Sequence, residues 1–254
     1  MNLIFDQNLI SQYKSKSQIA RVLTEDWVLK NSYCPSCGNN RLNRFGNNRP
    51  IADFYCKICN AEYELKSSSS YFGKKVVDGS YQKTIDRILS YNVPHFFFLK
   101  YSNIYLAENF LVIPNHFFSP EIIEKRTPLA KNARRAGWIG CNILVGNLPD
   151  TSKIFLIKQG QVVSKNEVIQ KWNKTAFLKH TKIQKRSWLI EVMNCIENLP
   201  QSDFSLLEIY KFEESLKKKY PENRFIKEKI RQQLQVLRDK GYIEFLGNGK
   251  YHKL

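Results

Sequence analysis

The chain has 254 residues, 43% of them hydrophobic and 13% aromatic, which is enough apolar side chain for a core and excludes a disordered polyelectrolyte. Its 40 Lys and Arg face only 23 Asp and Glu, a formal charge of +17. Such a surplus sits on the surface and repels itself until a polyanion meets it, so nucleic acid is the leading expected partner and an anionic membrane surface the second. No apolar run approaches the ~18 residues that span a bilayer. The opening Met-Asn-Leu-Ile-Phe-Asp lacks a basic region followed by an apolar one. These features predict a cytoplasmic protein whose six cysteines are thiols and metal ligands rather than disulfides.

In chain order, residues 1 to 30 are predicted helical, because Ile19, Val22, Leu23 and Trp27 recur at helical spacing. Residues 51–55 and 62–66 are short strand-like runs, and 67–80, polar with Ser and Gly, is predicted to be a loop. Tyr81–Leu89 is a candidate helix, and the apolar runs 96–99, 110–113 and 154–157 suit buried strands. Helices mixed with strands predict an α/β or α+β core. The basic run 179–186 is read as a domain boundary, giving domains of 1–182 and 183–254; a solvated loop within one domain is the alternative.

Beyond that boundary, Leu189, Val192, Ile196 and Leu199 share a helical face. Ser205-Leu-Leu-Glu208 has the signature of a capping box, opening a second helix with Leu206, Ile209, Tyr210 and Leu216 inward. Pro221-Glu-Asn223 is predicted to open a third, with Ile226, Ile230, Leu234 and Leu237 inward and Gly241 as its stop. The runs 242–246 and Lys250–Lys253 around Gly247-Asn248-Gly249 read as a hairpin. Three helices and a terminal hairpin make a winged-helix arrangement. Its third helix would present Asn223, Arg224, Lys227, Lys229 and Arg231 to DNA; a packing module with a solvated basic face is the alternative.

Two chemical patterns interleave between Cys34 and Lys66. Cys34-x2-Cys37 and Cys56-x2-Cys59, eighteen residues apart, have the spacing of a closed four-thiolate zinc site, structural because no position stays open; a redox dithiol or four buried thiols are the alternatives. Cys141 and Cys195 read as core thiols, and the four histidines form no metal-binding pair. Glu64 and Lys66 alternate onto one face of a strand, and a bend at the second cysteine pair would bring Asp53 opposite Glu64. Carboxylates that partly coordinate Mg2+, beside a lysine that orients or helps deprotonate the attacking water and stabilises the added charge, are what phosphodiester hydrolysis needs. A cross-strand salt bridge is the bland alternative.

Asp53 with Glu64-Leu65-Lys66 resembles the PD-(D/E)xK nuclease superfamily, except that Pro50 stands three positions before the aspartate. The resemblance narrows when three features are taken together: the cysteine pairs around Asp53, the run Ala133-Arg-Arg-Ala-Gly-Trp138-Ile-Gly-Cys-Asn142, and the stretch 226–234. Over essentially its whole length the chain is similar to the Dam-replacing family of methyl-directed restriction endonucleases. The resemblance implies a bacterial, monomeric, Mg2+-dependent enzyme that cleaves double-stranded GATC when its adenine is N6-methylated, reading the site with both the catalytic domain and the winged helix; a non-catalytic zinc-containing winged-helix DNA-binding regulator, or a nuclease of another target sequence, is the alternative. It implies Asp53, Glu64 and Lys66 as catalytic residues, with Asp53, Glu64 and Leu65 holding magnesium. Arg134 and Arg135 suit phosphates or guanine edges, and Trp138, flanked by Gly137 and Gly140, offers a flat apolar face to a base or methyl group; a core tryptophan with solvated arginines is the alternative. One buried methyl is worth only about 1 kcal/mol, so reading by two domains would sharpen discrimination.

Overall fold

The computed structural model describes residues 1–46 and 52–254. The chain divides into two units, Met1–Gly146 with Thr151–Lys179, and Asn147–Asp150 with His180–Leu254. In chain order the first unit runs α1 (Lys16–Asn31), β1 (Asn43–Arg44), β2 (Phe54–Tyr55), β3 (Glu62–Ser68), β4 (Val76–Ser80), α2 (Tyr81–Leu89), β5 (His95–Tyr101), β6 (Ala107–Ile113), β7 (Ile123–Lys125), β8 (Gly140–Ile143), β9 (Ile154–Lys158), β10 (Gln161–Val162) and α3 (Lys165–Lys174).

Seven of these strands form one sheet in the order β1-β2-β3-β5-β6-β9-β10, and β4-β8-β7 form a second. The β3–β5 pair is parallel, so its connection must cross over, and β4 and α2 lie within that crossover. Strand β5 is buried at every position, which explains its continuous apolar run. Leu23, Trp27 and Val28 of α1 pack with Phe97, Leu99 and Phe110 in the main core, where Trp27 meets Phe110 edge-on at 5.4 Å. The predicted runs at 96–99, 110–113 and 154–157 are thus the central strands, and Tyr81–Leu89 is a helix.

Three local expectations are corrected in this unit. The N-terminal stretch is not one helix: Phe5 is buried, Ile4 bridges Leu106, and the α-helix starts only at Lys16. The supposed loop 67–80 carries the end of β3 and all of β4, because β4 finds its partner in β8, far away in sequence. Of the run 51–55, Phe54 and Tyr55 form a strand; Ile51, like Pro50, lies outside the described residues.

His95 opens β5. Its ring lies between Tyr63 at 5.2 Å and Trp172 at 4.7 Å, and its Nδ1 accepts the Asn115 N–H at 2.9 Å. Burial, helped by the Lys179 charge, pulls its pKa down to about 3, against an ordinary value of about 6.5. The unfolded chain therefore binds the extra proton between those values. The stability that neutral His95 contributes is complete above about pH 6.5 and is lost as pH falls toward 3. A loss of about 2 kcal/mol between pH 7 and pH 5 is expected from this group. Denaturant melts at the two pH values should show a smaller difference in His95→Phe; an equal difference would assign the acid sensitivity elsewhere.

The second unit contains α4 (Ile183–Glu197), β11 (Asp203–Ser205), α5 (Leu206–Tyr210), α6 (Glu213–Lys219), α7 (Ile226–Asp239), β12 (Ile243–Gly247) and β13 (Lys250–Lys253). Ser205 and Glu208 form the expected capping box. The second helix is broken at Lys211-Phe212 into α5 and α6, which bury Ile209 and Leu216. Helix α7 buries Ile226, Ile230, Leu234 and Leu237 as expected. It begins at Ile226 rather than at Pro221: Asn223 folds back so that its Oδ1 accepts the Phe225 N–H at 2.8 Å. Gly241, at φ +65°, stops it. Leu199 lies past the end of α4, and its carbonyl accepts the Lys253 ammonium at 2.6 Å. The hairpin β12–β13 gains a third strand, giving the order β11-β13-β12.

Candidate active site

Each cysteine pair sits on a tight knuckle. Cys34 N–H donates to Asn39 and Gly38 N–H to Cys34, both at 2.8 Å, and Cys56 N–H to Ala61 and Asn60 N–H to Cys56, both at 2.9 Å. Gly38 and Asn60 turn these corners at φ +76° and +57°. The knuckles face each other, and the four Sγ atoms lie within 4.8 Å of one another, with Cys34···Cys59 at 3.5 Å and Cys37···Cys56 at 3.7 Å. A tetrahedron with Zn–S of about 2.3 Å has edges of about 3.8 Å, so the four thiols fit one zinc ion. Burial pushes the Cys34 thiol up. Cys56 is also raised by burial, but the N–H groups of Cys59 and Ile58 and the Asn39 amide bring it to about 7. Tyr63 ties the cluster to the core: its Oη is 3.0 Å from Cys34 Sγ, and its ring stacks on Phe97 at 4.6 Å.

The second knuckle joins β2 to β3. The register is Phe54↔Tyr63 and Tyr55↔Glu62, and Asp53 N–H donates to the Tyr63 carbonyl at 2.9 Å. Continued by one step, this register places Asp53 opposite Glu64, as expected from the sequence. The Asp53 carboxylate turns to β3 and accepts the Leu65 N–H at 2.7 Å. Lys66 Nζ lies 2.6 Å from Glu64 Oε1 and 5.7 Å from the Phe96 ring centroid. Asp53, Glu64, Leu65 and Lys66 line a cleft of about 730 Å³, walled by Arg21 and Glu25 of α1 and rimmed by the segment from Tyr71 to Val77.

Lys66 also meets a charge that the sequence did not announce. Asp78 Oδ1 lies 2.6 Å from Lys66 Nζ, and the Asp78 side chain is only 10% exposed. Burial raises the Glu64 pKa; Lys66 pulls it back and the Asp78 and Asp53 charges push it up, leaving it above its ordinary value. Burial lowers Lys66, and the Glu64 and Asp78 carboxylates more than offset this, leaving it above its ordinary value. Lys66 is therefore an ammonium at neutral pH, a donor rather than a proton acceptor. A carboxylate destabilised by burial and by two like charges is suited to a divalent cation, so Asp53 and Glu64 fit magnesium. Asp78 belongs to no motif, and a half-buried aspartate in a polar segment leaves no periodic signal.

The other predicted contacts fall on two surfaces. Arg134, Arg135 and Trp138 lie in the excursion between β7 and β8, closed by hydrogen bonds between Leu129 and Trp138 and between Gly137 and Leu129, each 3.0 Å. Both arginines are exposed and Trp138 is partly so, hence not a core residue. The Arg135 guanidinium stands 4.7 Å over the indole. A Cβ at Gly140 would fall 2.8 Å from the Trp138 ring, so Gly140→Ala is expected to lift the indole off the strand. Trp27, Trp172 and Trp188 are 1%, 6% and 7% exposed, so aqueous quenching of fluorescence reports chiefly on Trp138. Acrylamide quenching should rise in Gly140→Ala; unchanged quenching would mean that the ring stays in place.

In the second unit Asn223 holds the turn before α7 by accepting the Phe225 N–H, Arg224 and Lys227 are exposed, Lys227 pairs with Glu213 at 3.2 Å, and Arg231 lies 3.5 Å from Glu228. Phe225, which sequence reasoning passed over, is 68% exposed beside them. Among the described residues no helix is long and apolar enough to cross a membrane.

Comparison with known families finds a match for each part of the chain. The model of the DpnI, Dam-replacing family matches residues 1–181, and that of the Dam-replacing HTH domain matches residues 184–253. Both units are thus accounted for, one by a restriction-nuclease family and the other by its DNA-binding domain. The chain belongs to the Dam-replacing family of DpnI-like restriction nucleases.

Proposed function

We propose that the protein is a type II, methyl-directed restriction endonuclease. It hydrolyses phosphodiester bonds of double-stranded DNA at GATC sites carrying N6-methyladenine and requires Mg2+. The observation that carries the catalytic part is the half-buried Lys66 ammonium beside Glu64, with Asp53, the residue before β2, in the same cleft; family membership carries the methyl-directed part. On this reading residues 1–182 are a PD-(D/E)xK nuclease domain with an embedded structural zinc on Cys34, Cys37, Cys56 and Cys59. Residues 183–254 are a winged helix, in support of which α7 follows two shorter helices and the β12–β13 hairpin completes a three-stranded sheet.

Asp53, Glu64 and Leu65, the last through its carbonyl, would hold magnesium. When bound, the ion polarises the scissile phosphate and steadies the leaving oxygen. The chain's own groups do the rest. Lys66 Nζ, held charged, donates to a non-bridging phosphate oxygen, holding the phosphate in line with the attacking water and stabilising charge as it accumulates; the water's proton passes to bulk solvent as the new P–O bond forms, and the leaving oxygen takes a proton from solvent as its bond to phosphorus breaks. Arg134 and Arg135 take phosphates or guanine edges, and Trp138 presents its face to the methylated adenine from the major groove. Asn223, Arg224, Lys227 and Arg231 bring α7 to the duplex. The protein works as a monomer in the bacterial cytoplasm. Digestion of a GATC-methylated plasmid, with Mg2+ supplied or omitted, tests the reading. Fragments with both ends at GATC, appearing only with Mg2+, are expected; cleavage without added Mg2+, or at unrelated sequences, contradicts it.

A further inference from the structure

We propose that Asp78 is a positioning residue of the cleavage reaction, holding the Lys66 ammonium over the cleft independently of Glu64. The proposal rests on the reading above, in which Lys66 holds the phosphate in line with the attacking water. Lys66 Nζ makes two ion pairs of equal length, 2.6 Å to Glu64 and 2.6 Å to Asp78, and the three side chains are 19%, 23% and 10% exposed. The two carboxylates are not equivalent. Glu64 follows Asp53 across the β2–β3 register and has a metal to serve; an oxygen committed to a divalent cation is a poorer partner for an ammonium. Asp78 stands on another sheet and has no such duty. With Asp78 in place, the lysine keeps a charged, hydrogen-bonded partner when Glu64 turns away, and its four rotatable bonds stay fixed.

The backbone is shaped to aim Asp78. Strand β4 pairs with β8 as Val76↔Ile143, Val77↔Asn142 and Asp78↔Cys141, then jumps to Ser80↔Gly140, leaving Gly79 as a bulge. Bulges re-aim side chains and often flank active sites. Val76 is 8% exposed and Val77 60%, so the alternation turns Asp78 inward with Val76. The bulge is fastened on its far side: Tyr81 N–H donates to Ile139 at 3.1 Å, and Cys141 Sγ lies 3.5 Å from the Gly79 carbonyl. Asp78 is thereby fixed by β8 and not by the strand that carries Glu64 and Lys66.

The full-length protein tests this with Asp78→Asn and Asp78→Glu, beside wild type and Lys66→Ala. Single-turnover cleavage of a GATC-methylated duplex is measured at saturating Mg2+, with duplex affinity in Ca2+ and the Mg2+ concentration for half-maximal rate. Asp78→Asn is expected to slow cleavage by about 10- to 100-fold. Duplex affinity and Mg2+ requirement should stay within about threefold, and Asp78→Glu should recover most of the rate. A wild-type rate in Asp78→Asn overturns the proposal. So does a slow variant that higher Mg2+ restores, which would make Asp78 a metal ligand, or one that loses affinity and melting temperature with its rate, which would make its role structural. Should wild type fail to cleave, or Lys66→Ala cleave normally, the underlying reading fails first, and the two failures are told apart.

Discussion

Replacing Lys66 with alanine is expected to lower single-turnover cleavage of a methylated duplex by about 10²–10³-fold, the usual cost of removing one charge-stabilising donor. Three features of the cleft make this the largest single-residue effect. The ammonium is held above its ordinary pKa between Glu64 and Asp78, so it reaches the reaction charged. It is only 19% exposed, so its field acts with less screening by water. Its main chain is locked in the parallel β3–β5 pairing, Lys66 opposite Phe98, so truncation changes the functional group without moving the strand. Duplex affinity should change by no more than about threefold, because phosphate contacts elsewhere dominate it. A variant that cleaves at the wild-type rate would remove Lys66 from the mechanism. One that stops binding DNA would make it a recognition residue.

The second large effect is expected from Cys56→Ser. Cys56 directly follows the last residue of β2 and opens the knuckle into β3. The four thiols within 4.8 Å of each other clamp that bend, and the bend sets the register that puts Asp53 opposite Glu64. Because side chains alternate, a slip of one residue would turn Asp53 to the wrong face. A zinc site contributes folding free energy outright, about 10–16 kcal/mol in small zinc-finger peptides. Here a buried core of Trp27, Phe97 and Phe110 shares the task. The variant should therefore lose its zinc and at least about tenfold in cleavage rate, while residues 180–254, whose core does not include the cysteine site, keep their affinity for DNA. Zinc content by atomic absorption, cleavage rate and duplex binding decide it together. A folded, zinc-free protein with full activity would show that the knuckle and the carboxylates are independent.

Much of this site is legible in the sequence because its parts are local. Cys56, Cys59, Asp53, Glu64 and Lys66 lie within fourteen positions, so a knuckle and a two-strand register suffice to converge them. The same holds for the capping box at Ser205 and Glu208, and for the buried face of α7, where a helical period carries the information. What escaped is non-local. Strand β4 has one buried valine, an exposed valine and a glycine bulge, and its partner β8 lies about sixty residues on; no window around Asp78 contains the reason it is a strand. Strand β11 is three residues long and exists because β13 pairs with it. The break between α5 and α6 is equally silent, since Ile209 and Leu216, seven residues apart, keep a helical spacing across it. Trp138 is only partly buried, which the two glycines beside it make room for. The indole packs against Gly140, and Gly137 takes φ +76°.

The most direct test of the central claim is cleavage of two synthetic duplexes, identical in sequence with one GATC, of which only one carries N6-methyl groups on its adenines. Measured at saturating Mg2+ and with enzyme in excess, the methylated duplex is expected to be cut at GATC and the unmethylated one at least about a hundredfold more slowly, more than one buried methyl can supply. Equal rates on the two duplexes would contradict a methyl-directed enzyme, whatever Lys66 and the zinc knuckle do.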